Sequence, residues 1–382
     1  MACSPDSRYL YTCDFSGKLK LFSTDYTCNL KDFGHQDSKN SVMTMCFSKN
    51  GNYLYTGTSN GVIIQNCVKD PTLDKFYEDI ITEASATSSP VNTIVYSPDS
   101  EFMFVGTEAG ELRQYSTSDY KLFKDYGVVM KGSIHSISMT SIPNPMLFVS
   151  DNTGRLKQYV LLQDKSESKI EEKQVGFLTL LGIHRSSNIA NPNLLSRKLS
   201  SVAGNISQNQ TMIKENFSRN SLAPQANLLV LKKDYGQVHD GAIMSIKASL
   251  LSNNLFTSSV NGELNQFGVF EEKLIRSYGV IHKDNILEIE VTLDEDFVFT
   301  SDHTGHLKQF HVREENIAKD YGRVHSGCIF SMSSTPDSCY LFTSDSKGHI
   351  KQFSIRNKMC IFNFHKIHTE AINCITTTQD SK

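Results

Sequence analysis

Several short stretches of this 382-residue chain carry residue types that chemistry uses. Asp32-Phe33-Gly34 spells a magnesium-binding motif of phosphoryl transfer. His239, His282, His325 and His368 recur at near-constant spacing, and Lys157-Gln158-Tyr159, Lys308-Gln309-Phe310 and Lys351-Gln352-Phe353 repeat a basic-amide-aromatic triplet. The magnesium reading fails on its context. Its place is taken elsewhere by Lys-Asp-Tyr-Gly at 124–127, 233–236 and 319–322, and no glycine-rich loop or His-Arg-Asp stretch accompanies it. Asn205, Asn209 and Asn216 open glycosylation sequons by letter, as an Asn/Ser-rich stretch does by chance. Ser200 and Ser221 follow basic residues and are candidate phosphorylation sites.

Bulk properties narrow the field. Lys+Arg number 38 against 41 Asp+Glu, a balance that argues against a dedicated nucleic-acid binder. No apolar run is long enough to span a bilayer. The start, MACSPDSRYLY, lacks the basic and apolar regions of a secretory signal. The nine cysteines are scattered, form no CxxC pair and sit partly in strand-like runs. They read as free thiols in a reducing cytoplasm.

The elements that carry the triplets recur. A glycine precedes each of them, at 17, 61, 110, 154, 262, 305 and 348, in steps of 43 to 49 apart from one long step of 108. Residues 325–355, HSGCIFSMSSTPDSCYLFTSDSKGHIKQFSI, show the unit: an apolar run, a Thr-Pro-Asp-Ser turn, a second run, a turn closed by Gly348 and a third run. A fourth run, 358–364, leads to the next unit, which makes four strands per repeat. Asp14, Asp151, Asp302 and Asp345 open the turn before the glycine, where a carboxylate can bond the backbone two residues on. In the third strand Leu and Gln share one face, and Lys and the aromatic share the other. The triplet is thus a structural beat, with Phe310 and Phe353 as packing residues between units.

These repeats resemble the WD40 family of β-propellers. The resemblance rests on SPDS at 4–7 and 97–100, TPDS at 335–338, the four histidines before first strands, and the aromatics ending third strands. The chain has no tryptophan, and Lys347 stands at the family's pre-glycine Asp. The standard His–Ser/Thr–Asp–Trp network is therefore expected to be broken. Gln309, Gln352 and their equivalents are expected to bond neighbouring backbone or the loop histidine instead. Equivalent histidines on successive blades spread round a ring, so they read as structural and not as metal ligands.

The resemblance implies an all-β β-propeller, and the seven turn glycines give seven blades. The tail from His368 to Asp380 supplies a first strand and stops at the turn where the N-terminus begins, so strands from both termini are expected to close the ring. Residues 1–162 and 228–382 then form one propeller. Residues 163–227 are an insertion in blade four, rich in Asn and Ser and net basic, and are expected to be disordered and low-complexity. No catalytic residue, cofactor or metal ligand is expected. The resemblance implies a non-catalytic scaffold or assembly platform that binds other proteins or peptides, and the charge balance and short apolar runs add the expectation of no nucleic acid and no membrane span. The alternative is a propeller-fold hydrolase with a site at the central channel, which needs carboxylates converging there.

Overall fold

A computed structural model describes residues 2–3, 9–14, 16–23, 29–35, 41–47, 53–67, 89–118, 121–141, 145–162, 227–249, 253–314, 316–335 and 337–374. The first sheet contains β1 (Ala2–Cys3), β2 (Tyr9–Asp14), β3 (Lys18–Ser23) and β4 (Asn29–His35). The second holds β5 (Val42–Phe47), β6 (Tyr53–Thr58) and β7 (Ile63–Cys67). The third runs through β8 (Val91–Tyr96), β9 (Phe102–Thr107), β10 (Glu111–Ser116) and β11 (Leu122–Val128). The fourth has β12 (Ile134–Met139), β13 (Met146–Asp151), β14 (Arg155–Leu161) and β15 (Leu229–Gln237). In the fifth are β16 (Ile243–Ala248), β17 (Asn254–Ser259), β18 (Glu263–Gly268) and β19 (Lys273–Val280). The sixth comprises β20 (Ile286–Val291), β21 (Phe297–Asp302), β22 (His306–His311) and β23 (Ile317–Arg323). The seventh comprises β24 (Ile329–Ser334), β25 (Tyr340–Asp345), β26 (His349–Ser354) and β27 (Met359–Lys366), and β28 (Ile372–Cys374) returns to pair with β2.

This is an all-β propeller arrangement of antiparallel sheets. The expectation of seven four-stranded blades is corrected to six complete ones among the described residues: six sheets have four or five strands, and the second has three. The stretch after β7 does not repeat the outer-strand pattern. Gly127, Gly236, Gly279 and Gly322 take φ of +64 to +69° in the outer strands, a left-handed turn natural to glycine, whereas residues 68–90 contain no glycine. The whole of 68–88 lies outside the described residues, as do 163–226, which include Ser200, Ser221 and the three sequons.

The third to seventh sheets bury apolar residues on both faces. One core cluster joins Phe256 and Leu264 of the fifth sheet to Ile286, Ile289, Val298 and Phe310 of the sixth, and another joins Phe299 and Leu307 to Ile329, Leu341 and Phe353 of the seventh. The second strands are consequently apolar on both sides, and every residue of β9 and β13 is buried. The cores lie between sheets, so a single sheet has no core of its own.

The chain ends meet in the first sheet. Ile372 pairs with Asp14 and Cys374 with Cys13, and along the same edge Ala2 pairs with Tyr11 and Cys3 with Leu10. In the sixth sheet one continuous strand covers the equivalent span, from Ile286 opposite Asp302 to Val291 opposite Val298. The expectation that the tail alone supplies the inner strand is thus corrected: the two ends build it in tandem. The reason is phase. Ala2-Cys3 precede Ser4-Pro5-Asp6-Ser7 as Ser333-Ser334 precede Thr335-Pro336-Asp337-Ser338.

Ile372 is fully buried beside Phe342 and Ile350 of the seventh sheet. Ile372→Ala should therefore cost about 2–5 kcal/mol of global stability, as should Ile286→Ala at the equivalent place in the sixth sheet. Denaturant unfolding of both variants checks this; a much smaller loss for Ile372→Ala would mean that the tail only decorates the first sheet.

Candidate functional site: sheet-to-sheet latches and the inner wall

The repeated histidines sit in the loops that pass from one sheet to the next. The backbone amide of His282 donates to Gly262 O of the fifth sheet at 3.2 Å. Its ring reaches the sixth sheet, with Nε2 2.8 Å from Thr300 Oγ1 and Nδ1 2.8 Å from Asp302 Oδ2. His325 repeats this with Gly305 O, Thr343 at 2.7 Å and Asp345 at 3.2 Å. His368 bonds Gly348 O of the seventh sheet, and Thr12 Oγ1 and Asp14 Oδ2 of the first. The latch that joins the two ends of the chain is therefore the same as those inside it.

This corrects the expectation of a broken network. The carboxylate comes from the first position of the turn and not from the place before the glycine. One oxygen of Asp302 takes the turn amides of Thr304 and His306, both at 2.9 Å, which leaves the other for the histidine. Asp14 and Asp345 divide their oxygens likewise between turn and histidine. Burial would raise the Asp14 and Asp345 carboxyls, but hydrogen bonds from His368 and His325 and from the turns outweigh it and hold both at about 2. Burial lowers the His239, His325 and His368 pKa values, partly against the pull of their carboxylates.

Two repeats vary the latch coherently. His239 bonds Thr257 at 2.8 Å, but Ser259 stands at the Asp place and Glu263 supplies the carboxylate at 3.1 Å. In the fourth sheet Met130 replaces the histidine and Val149 the threonine, and both join one apolar cluster. Asp151 there retains its turn bonds to Thr153 and Arg155 amides.

The triplet faces both neighbours, as its alternation predicts. Lys308 Nζ donates to Ile281 O in the preceding loop at 2.7 Å, and Lys157 and Lys351 do the same to Val129 O and Val324 O. Phe310 and Phe353 meet Tyr278 and Tyr321 of the preceding sheet edge-on, at centroid distances of 5.7 and 5.5 Å. The glutamines accept from the tyrosine of the Lys-Asp-Tyr-Gly strand: Tyr321 OH to Gln309 Oε1 at 2.9 Å, Tyr235 OH to Gln158 at 2.8 Å, and Tyr126 OH to Gln114 at 2.7 Å. Gln158 and Gln114 also donate to backbone of the following sheet, at Val269 O and Asn227 O. Neighbouring backbone is thus a true partner, whereas the loop histidine is not. Sequence reasoning missed the tyrosine, although a signal existed: Tyr accompanies Gln in four repeats, and the first repeat carries Leu21 with Phe33. Gln352 has Phe364 at the tyrosine place.

The inner strands form a wall whose open edges are capped by side chains. Ser136 and Ser138 of β12 accept from Ile246 N and Ala248 N, and Ser245 of β16 accepts from Ile289 N. Glu290 accepts from Ser334 N and Oγ, at 2.8 and 2.7 Å, and pairs with Lys247 Nζ at 2.7 Å. Burial pushes the Glu288 carboxyl up to about 8, against the attraction of Lys247. Among the described residues no three His, Cys, Asp or Glu side chains converge as metal ligands would. Burial also pushes the Cys13 and Cys46 thiols up to about 12, which leaves them poor nucleophiles at neutral pH.

Two outcomes follow from the latches and the amides. In a Glu288→Gln background, which removes the opposing pH dependence of that raised carboxyl, stability should be full above about pH 6.5, where histidine is neutral in both states. It should fall as pH drops through the depressed histidine values, and fall again below about pH 4 as Asp14 and Asp345 protonate toward 2. Chemical denaturation across that range checks the order. Gln309→Leu strands the Tyr321 hydroxyl and should cost about 1–3 kcal/mol, whereas Gln352→Leu, opposite Phe364, should be near neutral. Adding Tyr321→Phe to Gln309→Leu should restore most of the loss, and an equal cost at both glutamines would refute the pairing.

A family model described as "WD domain, G-beta repeat" matches residues 27–65. The crystal structure of the computationally designed Ika8 protein superposes with a TM-score of 0.59 at 12% identity, over 98% of this chain and 88% of that one. No curated protein matches the sequence. At that identity the structural match speaks for the fold alone. Together with the latched, ring-wise sheets, the repeat match makes the chain a WD40-like β-propeller.

Proposed function

We propose that the chain is a non-catalytic scaffold that binds other proteins or peptides. The observation that carries this is where its polar chemistry is placed. The histidines, aspartates, lysines and glutamines of the repeat mostly bond neighbouring sheets and turns, as His325, Asp345, Lys351 and Gln158 do. A rigid disc results, and its loops and rim are left for recognition. The WD40-like repeat supports the same role.

The proposal includes a seven-membered ring, with the three-stranded sheet as one blade. Contacts between successive inner strands support it: β28 touches β5 and β24, β8 touches β5 and β12, and β16 touches β12 and β20, which touches β24. Residues 163–227 are then an excursion from one propeller made of 1–162 and 228–382. A cytoplasmic setting is supported by the free thiols of Cys13, Cys46, Cys328, Cys339, Cys360 and Cys374.

One observation favours the hydrolase alternative. Glu288 and Glu290 share the inner strand β20, where burial pushes the Glu288 carboxyl up to about 8 and Lys247 Nζ lies 2.7 Å from Glu290. Glu290, however, is occupied in capping Ser334.

Affinity capture with the full chain and with a chain lacking 163–227, followed by binding measurements on purified candidates, tests the scaffold. Saturable binding unchanged by Glu288→Gln is expected. Turnover of lactone, ester or glycoside substrates that Glu288→Gln abolishes would instead make the protein a hydrolase.

A further inference from the structure

The outer strand of the seventh sheet departs from its counterparts at successive positions, at three of them from every counterpart and at the other from all but β4. The other described outer strands read Lys31-Asp-Phe-Gly34, Lys124-Asp-Tyr-Gly127, Lys233-Asp-Tyr-Gly236, Arg276-Ser-Tyr-Gly279 and Lys319-Asp-Tyr-Gly322, and β27 reads Phe362-Asn-Phe-His365. Backbone register makes the substitution direct, since Gln352 pairs with Phe362 as Gln309 pairs with Lys319. The cation that guards the rim elsewhere is thereby replaced by a phenylalanine 40% exposed, flanked by Ile361 at 42% and Met359 at 54%. Phe362 packs edge-on against Phe364 at 4.8 Å, which holds its ring on the rim.

Two further features bear on this strand. His365 holds a φ of 55° at the place where the counterparts have glycine, a conformation that strains a residue with a Cβ. The strand is also the last in its sheet, so its outer edge presents unpaired backbone groups, and it lacks the charges that usually protect such an edge.

The charges lie at its ends instead. Arg356, in the turn before β27, and Lys366, at its end, are both exposed, and neither has an ion-pair partner among the described residues. Their placement selects the occupant. Two copies of this chain pairing antiparallel about Ile361 would set Arg356 opposite Lys366, cation against cation. A segment with carboxylates at its ends meets attraction at both.

We propose that β27 is a docking rim for an extended peptide segment, apolar at alternate positions and acidic at both ends. The apolar side chains cover Met359, Ile361 and Phe362, and the carboxylates reach Arg356 and Lys366. This rests on the scaffold reading and gives it a surface and a class of partner.

The test uses the full chain and a fluorescein-labelled peptide, Val-Thr-Val-Thr-Val-Thr with Glu-Glu at each end, followed by anisotropy. Saturable binding is expected. It should weaken by about tenfold or more in Phe362→Lys, which restores the residue of the other rims at an exposed place, and in Lys366→Glu. A peptide with Lys-Lys ends should not bind. Equal affinity for the parent and Phe362→Lys would overturn the rim site yet leave the scaffold standing, and so would an absence of peptide binding. Self-association abolished by Phe362→Lys, seen by sedimentation, would make a second copy the occupant and also overturn the proposal. The scaffold itself fails on different evidence, namely captured proteins that show no saturable binding to the purified chain.

Discussion

A sheet that buries both faces against neighbours and leaves its inner edge unpaired cannot be stable alone, and the loop histidine is where this chain resolves that constraint. Its amide holds the turn of one sheet while its ring holds a threonine and a carboxylate of the next, as His325 does between Gly305 and Thr343 with Asp345. Removing water from such a site makes each bond matter more, because an unpaired buried group has nothing else to bond. The same latch spans the two chain ends through His368, so closure needs no special device.

Variation among repeats follows the same logic. Where a polar group is replaced, its partner is replaced with it: Met130 goes with Val149, and Leu21 with Phe33. In the fifth sheet Asn265 and Ser277 stand where Lys308 and Asp320 form an ion pair at 3.5 Å in the sixth. Many contacts between sheets are satisfied or apolar, although among the described residues Gln309 Nε2 and Asn265 Oδ1 are buried without a hydrogen-bond partner. Gln352 faces Phe364 in place of a tyrosine, and it lies beneath the same outer strand that exposes Phe362. Local rules that break together on one strand are the mark of a surface kept for something other than stability.

Much of this was legible in the sequence. The repeat spacing gave the strands, the alternation in Leu307-Lys308-Gln309-Phe310 gave the two faces, and the shared turn phase of the ends gave the meeting of β28 with β2. The latch was misjudged because the carboxylate was sought at the family's usual position, while Asp302 serves from three residues before Gly305. The tyrosine partner of Gln309 was missed because it lies 12 residues away on the next strand. The capping of open inner edges by Ser136, Ser138 and Ser245 was also invisible, since serines carry no periodic signal in a chain this rich in them. The blade count faltered after β7, where residues 68–88 lie outside the described ones.

Native-state hydrogen exchange at the His282, His325 and His368 amides tests most directly whether the latches bind the sheets into one unit. Each amide donates to a glycine carbonyl of the preceding sheet. If the latches act together, all three exchange only through global unfolding, with one common free energy and one common denaturant dependence. Exchange of His368 through a local opening far below the global value, with the other two protected, would show that the ends are merely laid together and contradict a closed, latched ring.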